Sequence, residues 1–501
     1  MIKVSIIALS ILSFTFSFAQ QNNVLLIIVD DLGVDPVLGF MPEALQKANT
    51  PIIDSLRESG VTFSKAWTNP ICSPTRSAII TGKYGFRTGV LNATNLALID
   101  PYEQILHNYL NQESDGELSS SIIGKWHLGG DASSEYPMFM GVPHYAGIMS
   151  GAVSDYEDWT YTENGIGTNS LEYTTTKLTD EAIDWINLQD QSWFCWLAYN
   201  APHTPFHLPP ADLHTSDGLV DDDVIIENDP LPYYLAMVES LDTEIGRLIS
   251  EIPEDELAYT TIIFIGDNGS PGQVAQSPYN TNRAKGSLFQ GGIHVPLIVS
   301  GNQVSRENEI DSSLIVSSDL FCTISELAGY ELNEYEDSFS FKSLLTEENT
   351  GQRDCSFTDI QDGQKGYGWS ARDERFKYTI WDSVPERFYD LWVDPFELNG
   401  LLNGMGNLTS EEQDAFDKLS QVRETLSIEE RSIETFEMYP NPVESILNVV
   451  SSLKNESIYI YDFSGRVMLK SASHSKIDVS FLQSGVYFIQ TGTTIHQLVK
   501  Q

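Results

Sequence analysis

The sequence predicts an α/β protein: a large, mainly parallel sheet held between helices, then a smaller antiparallel-sheet subdomain, then a small all-β sandwich. Three observations predict it. Five continuous apolar runs, each ending in polar or turn residues, have the character of strands buried on both faces. Helical patterns lie between them, as in a β-α alternation. From about Cys355 the texture changes to short antiparallel strands.

In chain order the runs are "NNVLLIIVDDLG" from Asn22, "SSSIIGKWHLG" from Ser119, "SWFCWLAYN" from Ser192, "TTIIFIGDNGS" from Thr260 and "IHVPLIVSG" from Ile293. The stretches "TDEAIDWINLQ" and "PYYLAMVESLDTEIGRLISEI" carry the helical spacing. From Tyr367, "YGWSARDERFKYTIWDSVPERFYDLWVDPFELNGLL" reads as antiparallel strands, followed by a helix around 410–427. A separate all-β module follows, with Gly465 and Gly485 marking turns. The expected organisation is a leader over 1–19, a catalytic domain over 20–432 that includes the subdomain from about 350, and the β module over 433–501. The leader has the form of a secretory signal peptide: Lys3, an apolar run from Val4 to Phe18 and small residues around Ala19.

With 71 acidic against 28 basic residues, the 501-residue chain has a formal net charge of −43. That excludes a general nucleic-acid binder, which needs a basic face. An anionic substrate has to be drawn in by a local cationic pocket. The four cysteines, Cys72, Cys195, Cys322 and Cys355, show no metal-binding or disulfide-framework spacing, although export would permit one pair. Cys195 reads as a buried inert thiol. Cys72, in "NPICSPTRSAIITGKYGFRTG", is open to three readings: nucleophile, disulfide half or core residue.

Ligands of such folds sit beyond the carboxyl ends of the strands, so the residues ending the runs converge. Asp30 and Asp31 close the first run, and Asp267 and Asn268 the fourth. Four hard oxygen donors suit Ca²⁺ or Mg²⁺; helix capping is the other use of acids at such places. Arg76, Lys83, Lys125, His127, His203 and Lys285 form a cationic set. With a metal, such a set suits a tetrahedral oxyanion, phosphate or sulfate.

"CSPTRSAIITG" resembles the C-x-P-x-R signature of the type I, formylglycine-dependent sulfatases. "GKWHLG", "APHTPFH", "GDNGS" and "AKGSLFQGGIHVPLIV" resemble further motifs of that family, in its order, and "FYDLWVDPFELNGL" resembles its C-terminal-subdomain signature. The resemblance implies an alkaline-phosphatase-like fold and hydrolysis of sulfate esters. It implies that a formylglycine-generating maturation enzyme converts Cys72 to formylglycine, whose hydrate is the nucleophile. It further implies one Ca²⁺ held by Asp30, Asp31, residue 72, Asp267 and Asn268. Lys125 and Lys285 would grip sulfate, His127 would act as base, His203 as general acid, and Arg76 would hold the nucleophile and its negative surroundings. His144, Ser150 and Asp155 fall where the family usually contacts substrate. His294, a fourth candidate substrate contact, stands where many members carry arginine, and the loop "DDLGVDPVLGF" departs from the commoner glycine-rich form. The last module resembles the sorting domains of type IX secretion in Bacteroidetes, through "YPNPV", "IYDFSGRVM" and "LQSGVYFIQTG". It implies export by that machinery to the surface or the medium. The expected substrate is a sulfated polysaccharide or its oligosaccharides, an algal glycan before a glycosaminoglycan. The alternatives are a phosphonate or phosphodiester hydrolase of the same superfamily and a non-catalytic glycan-binding protein.

Overall fold

The computed structural model describes residues 22–94, 97–129, 133–403 and 407–428, and in the C-terminal part 436–439, 442–443, 445–451, 458–462, 466–471, 476–491 and 494–500. The expected signal peptide and the turn at Gly465 lie outside the described residues.

All five apolar runs are strands of one ten-stranded sheet. Its members are β1 (Asn23–Val29), β2 (Gly60–Phe63), β3 (Ser119–Lys125), β4 (Tyr145–Ile148), β5 (Trp159–Glu163), β6 (Ile166–Ser170), β7 (Trp193–Tyr199), β8 (Thr260–Gly266), β9 (Leu297–Gly301) and β10 (Glu309–Asp311). The order is β10-β2-β9-β8-β1-β7-β3-β4-β5-β6. The five central strands, β8-β1-β7-β3-β4, are mutually parallel. The flanks are mixed: β9 runs antiparallel to β8 and β2, and β5 and β6 form an antiparallel hairpin added to β4. "Mainly parallel" thus holds for the centre and not for the edges. An apolar run has the same composition in either direction, so strand polarity was unreadable for β9.

Successive side chains of a strand point to opposite faces, and β1 shows it. Val24, Leu26 and Ile28 join one core cluster, Leu25, Ile27 and Val29 another. Helices cover both faces: α1 (Pro51–Glu58), α2 (Cys72–Thr81), α3 (Leu106–Glu113), α4 (Thr174–Asn187), α5 (Leu231–Glu251) and α6 (Leu320–Leu327). Residues of α2, α3 and α6 fill the first cluster and those of α1, α4 and α5 the second. At Gly124 (φ 105°), β3 approaches β7 so closely that a Cβ would lie 1.9 Å from the Ala198 carbonyl oxygen.

The subdomain is a four-stranded antiparallel sheet in meander order: β11 (Ser356–Asp362), β12 (Gly366–Arg372), β13 (Phe376–Trp381) and β14 (Val384–Asp390). It fastens the loops that lead to the strand ends. Asn69 Nδ2 donates to the Asp359 carbonyl at 3.1 Å, Lys377 Nζ to the Leu288 carbonyl at 2.6 Å, and Glu397 Oε2 accepts from the Gln290 amide at 2.5 Å.

Two compact units divide the chain, one running to Phe416 and the other from Asp417. The division falls inside α7 (Ser410–Ser420), which is followed by α8 (Val422–Ile428); together they occupy the expected helix near 410–427. Beyond those helices, the regular elements among the described residues of the second unit are all strands. Two antiparallel sheets, of three and four strands, share a core that includes Leu447, Val449, Ile460, Ile489 and Leu498. Gly485 opens a strand there instead of forming a turn. Among the described residues the four cysteines are all free, and no helix is long and apolar enough to cross a membrane.

Ile27 is fully buried at the centre of β1. An Ile27→Ala variant is expected to lose about 2–5 kcal/mol of stability, read as a lower urea midpoint with an unchanged slope.

Candidate active site

The carboxyl ends of the parallel strands deliver the site. Asp30 and Asp31 follow β1, Lys125 ends β3 and His127 comes two residues later, His203 follows β7, and Asp267 and Asn268 follow β8. Cys72 begins α2, a helix whose ten residues are all buried. Pro74 sits in its first turn, where a missing N–H does no harm, and the unpaired N–H groups there favour negative charge. Asp31 (φ 65°) and His127 (φ 53°) are both left-handed, a strain of order 1–3 kcal/mol that clusters at functional sites.

Eight of the ten core residues expected to act together are linked by direct contacts, and the other two, Cys72 and His127, contact each other. Arg76, fully buried, pairs with Asp267 Oδ2 at 2.9 Å and donates to the Lys125 carbonyl at 2.9 Å. Lys125 Nζ pairs with Asp30, and Lys285 Nζ with Asp31. Asn268 Nδ2 donates to Asp31 Oδ1 at 2.8 Å, and the Asp31 amide donates to Asp267 Oδ1 at 3.0 Å. His203 Nε2 lies 3.8 Å from Asp31 Oδ2. Cys72 Sγ and His127 Nδ1 are 3.2 Å apart, and this pair joins the other eight where Sγ groups with Asp30 and Asp267, donor atoms within 4.8 Å of one another.

Burial and neighbouring charge compete here. Burial alone would raise the Asp30 carboxyl, but Lys125, His203, Arg76 and Lys285 outweigh it and hold it low. Burial and then the Asp30 charge push Asp267 up to about 7. Burial, then Lys125 and Arg76, pushes His127 down to about 2. Burial raises the Cys72 thiol, with Lys125 opposing; such a thiol is a poor nucleophile as it stands. Burial would lower the Lys285 ammonium, and the Asp31 charge more than reverses this.

Asp30 Oδ1 and Asn268 Oδ1 are buried and have no hydrogen-bond partner. Two orphaned acceptor oxygens among crowded carboxylates fit a hard cation, since a buried acceptor left unpaired is otherwise penalised.

Other expected residues stand apart. Lys83 pairs with Glu103 at 2.5 Å and is not in the cluster. His144 precedes β4 at the end opposite the crevice: its carbonyl accepts from the Ile122 amide, three residues before Lys125 and so about 10 Å upstream. Its ring stacks on Trp185. His294 Nε2 meets the Ser64 carbonyl at 3.0 Å beside Arg372 and Lys377, away from the carboxylates. Ser150, exposed, follows the crevice end of β4, and Asp155 lines a cavity on the His203 flank. His207 packs on Tyr156, ring centroids 4.2 Å apart, and faces the Tyr173 hydroxyl.

Several supporting residues were missed. Ser73 Oγ donates to the His127 carbonyl at 2.9 Å, and Thr75 Oγ1 to the Asp267 carbonyl at 2.7 Å. Tyr156 OH donates to the His203 carbonyl at 2.7 Å. Tyr234 OH donates to the Asp31 carbonyl at 2.9 Å and meets Ser270 Oγ, which reaches Asp35. A Cβ at Gly151 would lie 2.5 Å from the His127 ring. Ser73, Thr75 and Ser270 lie inside the quoted motifs and could have been read there. Tyr234 is one apolar residue among many on α5 and carries no sequence signal.

Residues 22–330 match the Sulfatase family model, and residues 437–501 match that of the secretion system C-terminal sorting domain. An arylsulfatase of Klebsiella aerogenes is 23% identical over 422 residues, covering 63% of this chain and 89% of the relative. A sulfatase of Formosa agariphila is 25% identical over 487 residues, covering 78% and 84%. The fold matches the crystal structure of Ps i-CgsB in complex with k-i-k-neocarrahexaose with TM-score 0.67 at 23% identity, covering 82% of this chain and 94% of that one.

Arg76→Ala leaves the Asp267 carboxyl buried without its cation. The variant is expected to lose about 3–5 kcal/mol of unfolding free energy in chelator-treated buffer, measured by urea titration against the wild type.

Proposed function

The chain belongs to the sulfatase family and is a sulfuric ester hydrolase; from that premise we propose that it removes sulfate from anionic polysaccharides or their oligosaccharides outside the cell, at the crevice around Cys72. One observation carries the reading: Cys72 stands on a buried first helical turn, 3.2 Å from His127 and grouped with Asp30 and Asp267. The C-terminal sorting domain supports export, and a substrate outside the cell is then a polymer or its fragments. The k-i-k-neocarrahexaose bound by Ps i-CgsB supports an algal glycan such as carrageenan, ulvan or fucoidan.

Asp30, Asp31, Asp267 and Asn268, with residue 72, would hold Ca²⁺, or Mg²⁺ in its place. The cation supplies charge that stabilises sulfate oxygens and favours ionisation of the nucleophile. Cys72 is the residue for conversion to formylglycine by a maturation enzyme, which replaces an inert thiol with a hydrated aldehyde.

The remaining work falls to the chain itself. Lys125 and Lys285 present ammonium groups to the sulfate oxygens and orient the sulfur toward residue 72. His127, kept neutral by burial and neighbouring cations, accepts a proton at Nδ1 from the residue 72 side chain. The left-handed backbone at His127 and the close approach of Gly151 hold that ring in place. His203 donates a proton to the departing alcohol oxygen, with its backbone fixed by the Tyr156 hydroxyl. Arg76 keeps Asp267 and the Lys125 strand end in register with α2.

Cys72→Ala is expected to abolish sulfate release from sulfated oligosaccharides, and mass spectrometry of the wild-type peptide spanning residue 72 should show loss of the thiol. Near-wild-type turnover by Cys72→Ala protein refutes the reading. His203→Ala should lower kcat by about 10²–10⁴-fold, the usual worth of a general acid, with KM changed far less. Removing divalent cations with a chelator should lower Tm and end turnover, and adding back Ca²⁺ at about 100-fold over its Kd should restore about 2.7 kcal/mol of stability.

A further inference from the structure

Beside the reaction centre lies a cavity of about 800 Å³ lined by Lys285, Arg283, Phe289, Lys365, Trp381 and Arg387, among others. That volume holds one or two sugar rings. Lys285 belongs to both places: it lines the cavity, and its ammonium pairs with Asp31. Two guanidinium groups bracket one ring, Arg283 4.7 Å and Arg387 5.0 Å from the Phe289 centroid. Lys365 Nζ stands 4.9 Å from the Trp381 ring.

The side-chain cations of Arg283, Lys365 and Arg387 form no ion pair within 4.0 Å among the described residues; the nearest acid in the chain to Lys365 is Asp362, whose carboxylate accepts from the Lys365 amide at 2.8 Å. The carboxylates of the wall are committed elsewhere: Glu397 to Lys377 at 2.6 Å and to the Gln290 amide, Glu386 to the Tyr378 hydroxyl at 2.6 Å. Arg283 is held by the carbonyls of Phe396 and Glu397 through Nη1 alone, which leaves the rest of its fork of donors free. In a chain where acids outnumber bases 71 to 28, three side-chain cations outside any ion pair in one cavity are a local concentration of positive charge. Aromatic faces beside them suit the apolar face of a sugar ring.

The opposite flank has the reverse sign. A cavity of about 710 Å³, lined by Tyr156, Thr204 and His207 next to His203, also carries Asp155, Glu157, Asp221, Asp223 and Glu227. Carboxylates there repel a charged ring.

We propose that the Arg283–Lys365–Arg387 cavity is a second anion subsite, which binds a sulfate or carboxylate group on the substrate other than the ester being cleaved. The preferred substrate is then an oligosaccharide with at least two anionic groups, the second on the Lys285 side, with an uncharged ring on the His203 side. The proposal rests on the reading of the centre given above.

The test uses full-length protein and a panel of anionic oligosaccharides: disulfated-repeat and monosulfated-repeat carrageenan oligosaccharides and heparin-derived disaccharides. Calorimetric titration and sulfate-release kinetics are compared for wild type, Arg387→Ala, Lys365→Ala and the charge-keeping Arg387→Lys, each checked by its Tm. For at least one panel member carrying two anionic groups, the alanine variants should bind about tenfold more weakly. Their preference for it over a monosulfated counterpart should fall by a similar factor in kcat/KM, through KM, with Arg387→Lys recovering part of the loss. The salt dependence of binding should also become shallower. Equal affinities of wild type and alanine variants across the panel overturn the subsite. Binding that discriminates without any sulfate release from the wild type overturns the proposed chemistry and leaves the subsite standing.

Discussion

The site is organised by the packing of like charges. Asp30, Asp31 and Asp267 are brought together, almost wholly buried, where the neighbouring strands β1 and β8 end. Two unit charges 4 Å apart repel by about 4 kcal/mol at an effective dielectric constant of 20, so the arrangement survives only with cations threaded through it. Arg76, Lys125 and Lys285 supply them, and each also serves as a tie. Arg76 joins α2 both to the end of β3 and to the residue after β8. Those cations act unevenly on the carboxyl groups: they hold Asp30 low, while burial and the Asp30 charge raise Asp267. A divalent cation in contact with Asp30 Oδ1 and Asn268 Oδ1 would add its charge to theirs.

The central fold was legible because strands buried on both faces are apolar throughout, and five of them announced themselves. The edges were not. β6 is largely exposed, so it needs no apolar run, and β2 and β10 are too short to stand out. The cluster was legible for a related reason: polar residues that directly follow buried strands have only one place to go. Proximity in sequence misled where a strand intervenes. His144 and Ser150 flank the same four-residue strand, yet they sit at its opposite ends, one behind the crevice and one at its mouth. His294 follows a short helix next to the Lys285 loop but turns toward the Ser64 carbonyl. The backbone anchors, such as the Tyr234 and Tyr156 hydroxyls, act through main-chain carbonyls that no side-chain pattern encodes.

The antiparallel subdomain does more than extend the molecule. Through Asp359, Lys377 and Glu397 it grips the segments that present Cys72 and Lys285, and it supplies Lys365 and Arg387 to the neighbouring cavity. The chain as a whole repels anions, but screening confines that field to within about 8 Å of each exposed charge at physiological ionic strength. A few closely spaced cations at the crevice can therefore dominate what an approaching sulfated chain meets.

The burial of α2 also sets an order of events. Cys72 is 3% exposed, and every residue around it on the helix is enclosed by the sheet and its neighbours. No second protein can close around that side chain once the domain has folded. Any catalyst that rewrites residue 72 therefore has to act while the polypeptide is still extended, before the sheet and its neighbours enclose α2.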